Sequence, residues 1–441
     1  MELKDLVVAP IVIFIVLAVA YKIKPQVTDT NTKSYFIPAL SLKIISAILL
    51  GVIYQFYYGY GDTLNYHSKG SRHIYNALIN EPMKGIKLLL GGGEYEAETF
   101  LYASKIVFYQ YDNAYLIVKI AAILDIFTFS SYAGTAVLFA ALSFIGCWMM
   151  FLVLYKRFPH LKTYFAIAIF FVPSVFFWGS GILKDTVTFA AIGVALYYFD
   201  LIFRKKFNPL NIIFLLVSLY LIFLVKKYIL ICFVPGLVIW YSWDYIQSIR
   251  IKLLRLIVAP LVISITMIFA FWVISKVGEF DERYAIENIG ETARITGVDL
   301  AFGTGKGAGS TYVLGELDGS LTSMVQLFPE AVNVTLFRPY LWEVNNALML
   351  IAALESLAIL LFTLFVLYKV KFVGMFRLAK EPFVLFCLVF SIVFAFAVGV
   401  STFNFGTLMR YKIPIIPFYL SALVIIYDLH KQKYSQTVNQ A

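Results

Sequence analysis

A carboxylate, an imidazole and two glycines stand close together in Gly59-Tyr60-Gly61-Asp62-Thr63-Leu64-Asn65-Tyr66-His67. A carboxylate just past an apolar run, with a histidine five residues on, can accept the proton of an attacking hydroxyl group. Asp62 and His67 are therefore the candidate catalytic pair. The same stretch could hold a divalent cation through Asp62, His67 and His73. It could equally be a solvated turn in which Asp62 caps a helix. No other cofactor is implied.

Basic residues at four places could bind a phosphate or pyrophosphate. In Phe171-Val172-Pro173-Ser174-Val175-Phe176-Phe177-Trp178-Gly179-Ser180-Gly181-Ile182-Leu183-Lys184-Asp185, the proline ends or kinks one helix. The glycines then allow a tight turn, and Lys184 and Asp185 open the next helix at its electropositive end. Lys226 and Lys227 occupy a short hairpin. Leu336-Phe337-Arg338-Pro339-Tyr340-Leu341-Trp342-Glu343 combines a guanidinium fork with a carboxylate that can orient it. Tyr340 and Trp342 can stack on a sugar ring there, or anchor a helix at a membrane interface. Arg410, in Met409-Arg410-Tyr411-Lys412-Ile413-Pro414, is a further phosphate ligand. Glu355 lies inside an apolar run, where a carboxylate needs a partner or a water-filled cavity. Gly303-Thr304-Gly305-Lys306-Gly307-Ala308-Gly309-Ser310 fails the phosphate-loop pattern, because Leu300 stands where the first glycine belongs and Gly307 follows the lysine. It reads as a flexible loop.

Composition says what must position these groups. The 441 residues are 61% hydrophobic and 14% charged, with a mean hydropathy of +0.83. A soluble domain runs at roughly 25% charged residues, so a soluble enzyme, a disordered chain and a disulfide-stapled domain are excluded. Cys147, Cys232 and Cys387 each sit inside an apolar run and read as buried thiols. The expected fold is an all-α integral membrane protein forming one polytopic domain over residues 1–441. A spanning helix needs about 20 apolar residues. That ruler picks out about eleven segments, near 6–21, 36–57, 132–155, 163–179, 184–203, 210–225, 228–247, 256–275, 346–368, 383–402 and 412–427.

The net charge of +10 is carried by short clusters between these segments, which argues for a positive-inside bias and against a nucleic-acid partner. Lys22, Lys24 and Lys33, then Lys156, Arg157 and Lys162, then Arg204, Lys205 and Lys206, follow alternate segments. So do Arg250, Lys252 and Arg255, then Lys369, Lys371, Arg377 and Lys380, and finally Lys431 and Lys433. The N-terminus is expected outside and the C-terminus inside, with an uncleaved first span. The apolar segment 114–130 carries Lys119 and Asp125, and counting it would put the later clusters outside. It reads as an interfacial or re-entrant helix. The long connections 58–131 and 276–345 then both face outward, and the short inner loops leave no room for a nucleotide-binding domain. No internal repeat is visible.

Several of these motifs resemble bacterial enzymes of surface-glycan assembly. Gly61-Asp62…Tyr66-His67 after an early span resembles the first outer loop of GT-C-type glycosyltransferases, although here it follows the second span and carries a single carboxylate. Pro173-Ser174…Phe177-Trp178…Lys184-Asp185 and Arg410-Tyr411…Pro414 resemble the Wzy and EpsG type of polysaccharide polymerase. The resemblance touches about a tenth of the chain, in short motifs. It implies a bacterial inner-membrane enzyme acting at the outer face on a polyprenyl-linked glycan, with Asp62 as base, helped by His67. Lys184, Asp185, Lys227, Arg338, Tyr340, Trp342, Glu343 and Arg410 would bind substrate. Membrane lipids and envelope-assembly proteins are the other expected partners. A flippase or transporter for a lipid-linked glycan, and a non-catalytic membrane subunit, are the alternatives.

Overall fold

A computed structural model describes residues 2–204, 208–303 and 310–438. Lys205 and Lys206, and Thr304–Gly309 of the glycine-rich stretch, lie outside the described residues.

A backbone crossing a membrane must satisfy its own N–H and C=O groups, and a helix does so within one segment. Among the described residues there is no strand, and one isolated bridge joins Thr311 to Asn404. Eight helices among the described residues are long and apolar enough to cross a membrane, or nine if the pair Phe405–Tyr411 and Ile416–Gln436, bent by 64°, is one span. The chain packs as two compact units, Met1–Lys226 and Lys227–Ala441.

In the first unit the helices that matter are α1 (Asp5–Val27), α2 (Lys33–Val52), α3 (Asp62–Tyr66), α4 (Arg72–Asn80), α5 (Asp112–Thr128) and α6 (Tyr132–Arg157). They are followed by α7 (Pro173–Trp178), α8 (Lys184–Phe203) and α9 (Pro209–Val225). Two of the eleven expected segments depart from a simple crossing. Residues 163–179 break up. A short helix Lys162–Ala166 passes into a π-helical turn Ile167–Phe171, Val172 is extended, and α7 begins at Pro173. The cause is Pro173, which has no N–H to continue the helix and forces the preceding residue into an extended conformation. The other departure is α9, which is apolar but only 17 residues long.

Register within this unit follows from side-chain pairings. Gly51 abuts the Tyr132 ring and Lys43 bonds Ser143, so α2 and α6 are antiparallel. Gly146 packs on Ala190, and Arg157 bonds Asp200, so α6 and α8 run parallel. The α6–α8 contact is close because a Cβ at Gly146 would lie 2.3 Å from the Ala190 carbonyl oxygen. Small residues permit this kind of backbone approach between membrane helices. The segment expected to lie at the interface is α5. Its Ala114, Ile117, Val118, Ala121, Ala122 and Asp125 are buried against protein, while Ile123, Ile126 and Phe127 are exposed.

The second unit contains α10 (Lys227–Ser248), α11 (Lys252–Phe280), α12 (Phe328–Phe337), α13 (Ala347–Val370), α14 (Pro382–Val400), α15 (Phe405–Tyr411) and α16 (Ile416–Val438). Its centre is an aromatic core of Phe233, Trp240, Phe383, Phe386, Phe390 and Phe418, all fully buried. The rings meet edge-to-face or stacked, as between Trp240 and Phe386 at 5.4 Å.

Candidate functional site

Asp62 is placed by a glycine turn. The π-helical end of the α2 span, Ile53–Tyr58, stops at Gly59 (φ 72°), and Gly61 has φ 139°. Both angles favour glycine, and a Cβ at Gly61 would also strike the Tyr54 ring at 2.2 Å. Asp62, half-buried, takes the first position of α3 rather than its cap. A carboxylate in a helix's first turn is favoured by the unpaired N–H groups there.

His67 does not join it. A π-helical turn, His67–Ser71, turns His67 and Ser71 together onto Asp125 of α5. His67 is fully buried, with Nε2 3.2 Å from Asp125 Oδ1 but off the hydrogen-bonding direction. The Asp125 carboxylate accepts from the hydroxyls of Ser71 (2.6 Å) and Thr135 (2.5 Å), and Thr135 is 2.7 Å from Thr128. This cluster ties α4's lead-in, α5 and α6 together. The divalent-cation site sketched on Asp62, His67 and His73 is not assembled: among the described residues, no three metal-ligating side chains converge. Burial, and then the charges of Lys105 and Arg72, push the His73 pKa down.

The turn that carries Lys184 and Asp185 is recessed. Gly179–Leu183 is irregular, and the Gly179 carbonyl bonds Lys43 of α2 and Ser143 of α6. Ser143 lies 11 residues beyond Tyr132, the first residue of α6, which is ~16 Å along the helix. The two glycines do make a turn, but it lies level with the middle of α2 and α6 instead of at their ends. Lys184 donates to Asn113 (2.9 Å), and Asp185, buried, pairs with the buried Lys226 at the end of α9. The start of α8 and the end of α9, with Asn113 at the start of α5, thus form a polar floor of two lysines, one carboxylate and one amide. Trp178 packs edge-on against Tyr54 at 6.3 Å.

Lys227 opens the second unit and also has a carboxylate. It donates to Asp281 at 3.0 Å, and Asp281 receives two bonds of 2.8 Å from Arg283. Arg283, helped by Lys227 and opposed by burial, holds the Asp281 carboxyl down to about 2. A carboxyl depressed on folding stabilises the folded state fully above its unfolded value, about 3.9, and the gain is lost as pH falls through about 2. Unfolding midpoints measured from pH 5 to pH 2 should therefore drop in the wild type and drop less in Asp281→Asn. Equal slopes would remove Asp281 as the group responsible.

Arg338 is the best-surrounded cation of the second unit. It follows α12, and its guanidinium pairs with Glu343, with Nε 3.1 Å from both carboxylate oxygens. Its carbon lies 5.5 Å from the Tyr312 ring, 5.8 Å from Tyr340 and 5.3 Å from Phe405. Its main-chain carbonyl accepts from Ser356 (3.0 Å) and, at 3.5 Å, from Lys412. Glu343 also accepts the Tyr340 N–H at 2.8 Å. Burial raises its pKa, but the bonds from Arg338 and Tyr340 outweigh that and hold it below the usual carboxylate range. Tyr340 and Trp342 stack at 4.8 Å, and Trp342 is 81% exposed. Arg410, half-buried, lies in the last turn of α15. Lys412 lies in the break between α15 and α16, buried and bonded to Ser356 at 3.0 Å, one residue from Glu355 and within reach of its charge.

Sequence reasoning gives no site role to Lys43, Asp125, Tyr312, Ser356 or Lys412, although Asp125 stands out as a charge within the apolar segment 114–130. For the three ionisable groups a signal existed, since a charge inside an apolar run is a site by default. For Tyr312 and Ser356 there was none, because their roles depend on long-range packing. The chain matches no family model, no characterised protein and no solved structure.

Proposed function

We propose that the protein is a membrane glycosyltransferase or polysaccharide polymerase that uses a polyprenyl-phosphate-linked saccharide at the outer face of a bacterial inner membrane. The supporting observation is the Arg338–Glu343 pair beside the stack of Tyr340 and the exposed Trp342. Stacked aromatic faces suit the apolar side of a sugar ring, and a guanidinium fork suits the phosphate that leaves with the lipid. In the reaction, an acceptor hydroxyl oxygen attacks the anomeric carbon and the carbon–oxygen bond to the phosphate breaks. In the first unit Asp62 is the candidate acceptor of the hydroxyl proton. In the second, Arg338 and Arg410 are the candidate partners of the departing phosphate, whose charge grows in the transition state. Lys227 joins them only by exchanging Asp281 for the phosphate.

A lipid-linked glycan transporter is the second reading, favoured by the interrupted segments 162–178 and Phe405–Gln436. Broken helices lining a central site are typical of transporters. Surface glycan from a strain lacking the gene, complemented with wild type or Asp62→Asn, tests the choice. The transferase reading expects loss of a sugar or collapse to single repeats, with no rescue by Asp62→Asn. Full rescue would remove Asp62 from the chemistry. An unchanged glycan in the deletion strain would overturn both readings.

A further inference from the structure

The middle of α2 holds a lysine whose charge, among the described residues, is met by neutral groups. Lys43 is 1% exposed. Its ammonium donates to the Gly179 carbonyl (2.9 Å), the Ser143 hydroxyl (2.9 Å) and, at 3.5 Å, the Ser180 hydroxyl. The Phe189 ring faces it at 5.7 Å and the Cys147 thiol lies beside it. Among the described residues no carboxylate pairs with it.

The hydroxyl hydrogens around it are used elsewhere. Ser143 donates its own to the Gly179 carbonyl at 2.6 Å, and Ser180 donates to the Phe176 carbonyl. Both serine oxygens therefore have lone pairs left to offer the ammonium. Oxygen dipoles converging on one point, with an aromatic face beside them, are what replaces the hydration shell of a monovalent cation in a dry site. The place is also where such an ion is needed. Gly179–Leu183 is irregular backbone level with the middle of α2 and α6, and a carbonyl there has two lone pairs to satisfy, of which Ser143 takes one. Glycine at 179 is required by its own turn, since a Cβ there would lie 2.5 Å from the Val175 carbonyl oxygen.

We propose that Gly179, Ser143 and Ser180 form a monovalent-cation site that the chain fills with its own ammonium group. Lys43 is thus a positioning residue. It ties the turn that presents Lys184 and Asp185 to α2 and α6, and does so without an ion from solution. A site filled by sodium or potassium responds to ion gradients; a tethered ammonium does not. The turn is then held in one state whatever the surrounding salt. This inference does not depend on the transferase reading.

The test is thermal unfolding of the purified full chain in detergent, at constant ionic strength, in choline, sodium, potassium or propylammonium chloride. Wild type should unfold at the same temperature in all four. Lys43→Ala should fall on the order of 5–10 °C in choline chloride. It should recover saturably with potassium or propylammonium, which can enter the vacated cage. A Lys43→Ala protein as stable as wild type in choline, or one restored by none of the three cations, overturns the proposal. If Lys43→Ala does not accumulate, Lys43→Gln decides, because it keeps two N–H donors and loses the charge. A midpoint below wild type supports the cation site, and one equal to wild type shows that a neutral donor suffices and sinks it.

Discussion

Lys226→Met is expected to destabilise the first unit by about 3–5 kcal/mol, the usual consequence of removing one partner of a buried ion pair. Lys226 and Asp185 have side chains only 7% and 3% exposed, so the carboxylate left behind would lie out of water without its cation. The pair itself contributes far less than that, because bringing two charges out of water costs nearly what their attraction returns. The double variant Lys226→Met, Asp185→Leu should therefore regain most of the loss. Unfolding in detergent, followed by tryptophan emission across the two single variants and the double, measures the coupling directly. A single variant as stable as wild type would mean that the pair opens to solvent, and the floor between α8 and α9 would have to be redrawn. The result also bears on substrate. A fold that survives Lys226→Met but no longer retains a polyprenyl phosphate would move Lys226 from scaffold to ligand.

The largest effect on activity is expected at Arg338. Arg338→Gln should lower turnover by roughly 10²–10³-fold if its guanidinium meets charge that develops as the phosphate leaves. Arg338→Lys should recover little, since an ammonium cannot reproduce the fork that engages Glu343 and a phosphate together. Trp342→Ala should instead weaken substrate binding with little change in turnover at saturation, because the exposed ring makes the same contact before and during reaction. Product formation from a purified lipid-linked saccharide, with acceptor varied, separates the two patterns. Arg338→Gln with wild-type turnover would confine Arg338 to holding the loop that follows α12.

Most of the helices were legible from apolar length alone. Nine of the expected segments correspond to helices that can cross a membrane, counting the bent pair. The two that depart show where that ruler fails. Segment 163–179 is as apolar as its neighbours, but Pro173 and the irregular backbone after Trp178 decide its course. In α9 the number of apolar residues was correct, but its upper end stops at the recessed level set by the Lys226–Asp185 pair. At the candidate site, spacing found Arg338, Glu343, Tyr340 and Trp342, which do come together because they are near in sequence. Spacing also joined His67 to Asp62. The structure gives His67 to Asp125, 58 positions on, because the π turn at His67–Ser71 rotates it away from the helix end. Contacts between distant segments, such as Lys43 to Gly179 or Lys412 to Arg338, leave no periodic trace in a chain that is apolar almost everywhere.

The shortness of α9 acts on the lipid as well as on the protein. Seventeen helical residues supply ~26 Å of apolar length, against about 30 Å of hydrocarbon in an ordinary bilayer. Ile212, Ile213, Leu216, Val217 and Tyr220 are all exposed along it. If α9 crosses the membrane, its length falls short of the hydrocarbon, and the difference is made up by a thinner bilayer beside it, by snorkelling of flanking side chains or by association with another helix. Thinning would bring lipid headgroups nearer to the floor made by Lys184, Asp185 and Lys226.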